Sequence, residues 1–136
     1  MRPIALDTNT YVGFKRGDAD CIEVVRQAGR LLLGVTVIGE LLAGFACGER
    51  ERRNREELSL FLASPRVESP LVSTDTADAY ALLYRDLKRK GRPIPTNDLW
   101  IAASCLELGA ILFSFDAHFL QVEGLRVIRS WQEALP

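Results

Sequence analysis

Short, strongly apolar runs separated by stretches of helical periodicity constrain this chain more than any other feature. Pro3-Ile4-Ala5-Leu6, Leu31-Leu32-Leu33-Gly34-Val35, Ala110 to Phe115 and Leu125 to Ile128 are the clearest of them, and a further short strand is expected within Val67 to Val72. Runs of this length suit strands buried on both faces, and helices between them act as crossovers. The expected fold class is therefore α/β, with a mainly parallel sheet covered on both faces by helices. At 136 residues, with no repeat, low-complexity tract or linker, residues 1–136 read as one domain. In such folds ligands bind beyond the carboxyl ends of the strands. Two of the runs end at or just before an acid there, Asp7 and Asp116.

The intervening segments carry their own signals. Thr36 is expected to open a helix reaching about Cys47. Glu49 to about Leu62 continues as a heavily charged helix, with Glu49–Arg53, Glu51–Arg55 and Arg53–Glu57 each four residues apart. Pro65 then breaks the chain. Thr74 or Asp75 caps another helix, with apolar positions at Ala79, Leu82, Leu83 and Leu87, ending near Gly91. Pro93 and Pro95 keep the next segment extended, and a helix runs from about Asn97 to Leu108, where Gly109 stops it. Val122 to Gly124 turns the chain before the last strand, and Ser130 caps a terminal helical turn.

Composition removes several classes of function. Hydrophobic residues at 48% and charged residues at 26% are those of a globular protein with a normal core. The longest apolar stretch, Leu31 to Cys47, is short for a bilayer and holds Glu40 at its middle, so no membrane span is expected. An acid at position 7 comes too early for a signal peptide. Cys21, Cys47 and Cys105 are odd in number and widely spaced, which suits reduced thiols. A cytoplasmic protein is expected. The net charge of −1 means that nucleic acid can be held only through a local basic patch or through bound metal ions.

Four acids stand out by position. Asp7 follows the first strand and opens Asp7-Thr8-Asn9-Thr10, where a helix cap or turn residue is the plainest role. Glu40 lies in Val35-Thr36-Val37-Ile38-Gly39-Glu40-Leu41-Leu42-Ala43-Gly44, one residue too late for a capping box with Thr36. A carboxylate buried there needs a partner or a metal, unless it reaches solvent at the helix edge. Asp98 follows Pro95-Thr96-Asn97 at a helix start, and alone it would only complement the helix dipole. Asp116 ends Ile111-Leu112-Phe113-Ser114-Phe115 and alone would cap the next turn. Brought together, the four would repel one another strongly enough to require a cation. An all-oxygen site suits Mg2+ or Mn2+ rather than zinc.

The chemistry such a site supports is phosphodiester hydrolysis, in which the ion activates water and stabilises charge at phosphorus. Other routes are poorly supplied. With His118 as the only histidine, a two-histidine acid–base ribonuclease mechanism cannot be built within one chain. The sequence has no G-x-x-x-x-G-K-[ST] phosphate loop and no G-x-S-x-G elbow.

The motifs Leu6-Asp7-Thr8-Asn9, Glu40 in its apolar helix, Pro95-Thr96-Asn97-Asp98-Leu99-Trp100-Ile101-Ala102-Ala103 and Ser114-Phe115-Asp116-Ala117-His118-Phe119 resemble the PIN-domain family. Within it they resemble the small VapC-type toxins of prokaryotic toxin–antitoxin pairs. Order, spacing and length agree over nearly the whole chain. The resemblance implies a three-layer α/β/α domain with a parallel sheet of about five strands, and an endoribonuclease requiring Mg2+ or Mn2+. It implies Asp7, Glu40, Asp98 and Asp116 as metal ligands and catalytic residues, with Asn9, Asn97 and Ser114 orienting them through hydrogen bonds. It also implies a homodimer inhibited by a cognate antitoxin. Phe115 and His118 depart from the pattern: the first replaces a residue that is often polar or basic, the second a position sometimes held by a further acid.

Other features have plainer alternatives. Arg85, Lys88, Arg89, Lys90 and Arg92 form the one dense basic patch, either a solvated helix end or an RNA phosphate clamp. The charged helix over Glu49 to Glu57 reads as a solvated face, flanked by Leu42, Phe45, Leu58, Leu60 and Phe61, which could form a groove for an antitoxin helix. Trp100 and Trp131 read as core or interface aromatics. Two other functions compete with the ribonuclease. A haloacid-dehalogenase-like phosphatase needs a second Asp two residues after Asp7, where Asn9 stands, and a lysine within 96–116, where there is none. A non-cleaving PIN-like RNA- or Mg-binding regulatory domain is the other, and loss of cleavage on Asp7→Asn separates enzyme from binder.

Overall fold

A computed structural model describes residues 1–136. Five parallel strands form one sheet: β1 (Ile4–Leu6), β2 (Leu31–Leu32), β3 (Val67–Glu68), β4 (Ile111–Phe113) and β5 (Val127–Ile128), in the order β3-β2-β1-β4-β5. The register is direct, with Ile4 opposite Leu31 on one side and Ile111 on the other. Chain order runs outward from β1 in both directions, so the sheet switches direction between β1 and β4. That is where an open parallel sheet forms a ligand crevice at its carboxyl edge. Seven helices cover the sheet in a three-layer α/β/α arrangement: α1 (Thr8–Arg16), α2 (Ala19–Gln27), α3 (Val35–Ala46), α4 (Glu51–Leu62), α5 (Thr74–Arg89), α6 (Thr96–Leu108) and α7 (Trp131–Ala134). A 3-10 turn spans Ala117–Gln121. No helix is long and apolar enough to cross a membrane.

The central strands are apolar because both faces are covered. Ile4, Leu6, Leu112 and Phe113 are all essentially inaccessible to solvent. Each such side chain contributes roughly 1.5–3 kcal/mol of transfer free energy, so truncating Phe113 would cost about 3–5 kcal/mol. That rigid floor fixes where the loops after β1 and β4 begin.

Several sequence expectations need correction. The segment between Asp7 and Leu31, to which the sequence reading assigns no element, folds into two nine-residue helices. Their starts are capped by Asp7 and Asp18, and Gly17 joins them with φ +89°, a conformation that disfavours side chains. Gly13 lets them pack closely, since a Cβ there would lie 2.7 Å from Cys21 Sγ. The strands are shorter than the apolar runs: β3 stops at Glu68, and β4 stops at Phe113, three residues before Asp116. Helix α3 opens at Val35 after Gly34, not at Thr36, and α5 is capped by Ser73, not by Thr74 or Asp75. On α5, Leu83 and Leu87 face the core while Leu82 is exposed. Of the three ion pairs expected on α4, only Arg53–Glu57 forms, at 3.5 Å; Arg52–Glu56 forms at 3.3 Å, and Lys15 of α1 also reaches Glu57.

Candidate functional site

Asp7 closes β1 and starts α1. Its backbone is extended, as an N-cap requires, and its Oδ1 accepts the Thr10 N–H at 2.9 Å. The Thr10 hydroxyl lies 2.9 Å from the same oxygen and 3.1 Å from the Phe113 carbonyl, which ties the cap to β4. The Ser114 hydroxyl donates to Asp7 Oδ2 at 2.5 Å, and the Asp116 N–H donates to Ser114 Oγ at 3.0 Å. Ser114 thus sits between Asp7 and the backbone of Asp116. Asp7, Thr10 and Ser114 are all buried, a rare concentration of polar groups in a core, and each has its partners.

Glu40 reaches the same place from α3. It is half-buried, with Oε1 accepting the Thr8 hydroxyl at 2.6 Å and Oε2 accepting the Asn97 amide at 3.3 Å. Thr8 follows Asp7 in sequence and Asn97 precedes Asp98, so Glu40 is bonded to the neighbours of both. Its carboxylate does not turn away into open solvent.

Asp98 and Asp116 meet at His118. The imidazole Nδ1 lies 3.0 Å from Asp98 Oδ2 and 3.2 Å from Asp116 Oδ1. Burial pushes the Asp98 carboxyl above the usual carboxylate range; the Asp116 and Glu40 charges add to this, and the His118 contact opposes it. Hydrogen bonds and close contacts therefore bring all four acids to the carboxyl edge of β1 and β4.

Apart from His118, the donors around these acids are neutral hydroxyl, amide and backbone groups, and no Lys or Arg pairs with any of the four. Carboxylates that no Lys or Arg pairs with are the kind of donor a hard divalent ion takes. Asp98, Asp116 and His118 each offer one donor atom, all within 4.8 Å of one another.

A family model described as the PIN domain matches residues 4–125. The chain belongs to the PIN-domain family. Ribonuclease VapC4 of Mycobacterium tuberculosis is 27% identical over 131 residues, covering 94% of this chain and 97% of the relative. Ribonuclease VapC1 of Haemophilus influenzae strain R2866 is 28% identical over 134 residues, covering 94% and 95%. Among solved structures, VapBC-1 from nontypeable Haemophilus influenzae matches with TM-score 0.82 and 26% identity over 96% of this chain and 98% of that one. VapBC2 from Rickettsia felis, bound to a promoter DNA fragment, shares the fold with TM-score 0.81 at 23% identity, covering 93% and 97%.

Within this PIN domain the residues singled out from sequence fall into different positions. Asp7, Glu40, Asp98 and Asp116 share one edge, and Asn97 and Ser114 each donate to one of them. Asn9 does not. Its side chain is exposed and makes no hydrogen bond to a carboxylate, whereas the preceding Thr8 donates to Glu40. Thr10, three residues after Asp7, completes a capping box with it, a role the sequence reading does not assign. His118, a departure from the family pattern, touches two of the four acids.

The basic patch ends α5. Lys90 lies 3.4 Å from the Gln121 carbonyl and 4.0 Å from Glu123, which sets the patch beside the chain that follows His118. A second group of cations lies elsewhere. A cavity of about 620 Å³ between α1, α3 and α4 has Glu40 in its wall and is lined also by Lys15, Arg16, Arg50 and Arg53, of which Lys15 and Arg53 pair with Glu57 in the same lining. Phe45 lines it too, whereas Leu60 is largely exposed on the surface. Trp100 stacks on Tyr80 at 4.2 Å, and Trp131 packs partly buried against the core.

Proposed function

We propose that this PIN domain is a metal-dependent endoribonuclease acting as the toxin of a toxin–antitoxin pair in the cytoplasm. One observation carries the reading: four acids gather at one edge of the sheet and no Lys or Arg forms an ion pair with any of them. Proteins seldom hold such a cluster unless a cation completes it. Mg2+ or Mn2+ suits the oxygen-rich donor set, held by Asp7, Glu40, Asp98 and Asp116. When bound, the ion supplies Lewis acidity toward a phosphodiester and lowers the pKa of water.

The chain's own residues account for the rest. Ser114 and Thr10 hold Asp7 in one orientation, and Thr8 and Asn97 do the same for Glu40. Pre-set carboxylates need no rearrangement when the cation and the phosphate arrive. The net charge of −1 leaves RNA capture to local cations. Lys88, Arg89, Lys90 and Arg92 at the end of α5 are one such set, and the cations of the cavity beside Glu40 are another. Relatives named ribonucleases and matches to VapBC structures support RNA as substrate and a cognate antitoxin as partner. A homodimer is proposed from the family pattern.

Expression in a bacterial host tests the reading. Wild type is expected to arrest growth, with RNA cleaved in lysates, and Asp98→Asn is expected to do neither at equal protein level. Arrest by Asp98→Asn equal to that of wild type would refute it.

A further inference from the structure

We infer that His118 is itself a ligand of the divalent ion, and that its nitrogen biases the site toward Mn2+ and away from Mg2+. The inference rests on the proposed metal-dependent reading and concerns which ion the site selects.

The ring is placed by the main chain. Asp116 caps the turn Ala117–Gln121, and its Oδ1 accepts the His118 N–H at 2.9 Å. One residue later Phe119 is buried at 1% exposure and anchors the turn to the core. The His118 side chain is itself half exposed, at 51%. It nevertheless turns back over the acids, with Nδ1 at 3.0 Å from Asp98 Oδ2 and 3.2 Å from Asp116 Oδ1.

Those separations suit shared coordination. Neighbouring oxygen ligands of an octahedral ion bound at about 2.1 Å stand roughly 3 Å apart. One nitrogen meets one oxygen from each acid, so a single ion could take the place of the hydrogen-bonded proton between them. Mg2+ takes oxygen almost exclusively, while imidazole suits later divalent ions, and affinity for nitrogen donors rises along the first-row series that Mn2+ begins. One nitrogen among carboxylates therefore discriminates between two ions of the same charge.

The test binds Mn2+ and Mg2+ separately to metal-free wild type, His118→Asp and Asp98→Asn by titration calorimetry. Pulsed electron paramagnetic resonance of the Mn2+ complexes then reads the ligand atoms. Wild type is expected to show nitrogen modulation on Mn2+ from a coordinated imidazole, and His118→Asp to show none. The ratio of Mn2+ to Mg2+ affinity is expected to fall about tenfold or more in His118→Asp. Bound Mn2+ without nitrogen modulation in wild type, or an unchanged ratio in His118→Asp, overturns the inference and leaves the four-acid site standing. Mn2+ binding by Asp98→Asn as tight as by wild type, or no binding by wild type, overturns the metal-dependent reading as well. The exposure of His118 makes a folding defect in His118→Asp an unsuitable explanation, and unchanged far-UV circular dichroism checks this.

Discussion

Asp7 and Asp98 sit at the same edge of the sheet but in opposite circumstances. Asp7 is buried, caps a helix and accepts hydrogen bonds from Thr10 and Ser114, so the fold already uses its charge. Asp98 begins a helix without serving as its cap. Its only hydrogen-bonding side-chain partner is His118, and burial holds its carboxyl above the usual range. One acid is stabilised by the protein and the other is left for something else to stabilise. The contrast shows that a ligand site can be half built into the fold and half held against it.

Removing the two acids should break them apart most clearly. Both Asp7→Ala and Asp98→Asn are expected to lower RNA cleavage by more than about a hundredfold, since each removes a proposed ligand. Stability should separate them: Asp7→Ala loses a cap and strands a buried hydroxyl, costing about 2–4 kcal/mol by chemical denaturation, whereas Asp98→Asn should cost nothing. Equal destabilisation by both would erase the distinction. Ser114→Ala is next in size. It leaves Asp7 Oδ2 and the Asp116 N–H without their shared partner, costing about 1–3 kcal/mol and roughly 10–100-fold in cleavage rate.

On the Glu40 side, Thr8→Val and Asn97→Ala are expected to weaken Mn2+ binding about tenfold with little change in Tm, while Asn9→Ala leaves both unchanged. An effect of Asn9→Ala equal to that of Asn97→Ala would contradict the geometry. The smallest effect is a pH dependence. Because the folded Asp98 pKa is raised, its ionisation is harder in the folded state, and the associated stability is present at low pH and lost as pH rises through that value. Metal-free Asp98→Asn should therefore melt slightly higher than wild type at neutral pH. The gain should shrink as the pH falls through the Asp98 titration.

Much of this was legible in the sequence, for reasons that differ by region. Continuous burial makes β1 and β4 apolar throughout, so their runs are visible without any periodicity. Helix α6 announces itself through Pro95 before it and Gly109 after it, which takes the left-handed conformation at φ +65°. Helices α1 and α2 stayed hidden because each is only nine residues long and starts from an Asp that reads equally well as a turn. On α5 the apolar spacing admitted Leu82, and only the packing of α6 selects Leu83 and Leu87 instead. The acids were visible as anomalies, but their partners were not. Whether Thr8 or Asn9 faces Glu40 depends on a rotation of one residue along α1 that nothing in the sequence fixes. His118 carried no local signal, since the turn that aims it is a three-dimensional fact.

The central claim is that the four acids act through one divalent centre to cut RNA. The direct measurement follows cleavage of an RNA by purified, metal-free protein as Mg2+ or Mn2+ is restored. Cleavage is expected only with the ion present, to stop on addition of a chelator, and to be absent from Asp98→Asn at any ion concentration. Cutting that persists in excess chelator, or that Asp98→Asn performs at the wild-type rate, would contradict the account.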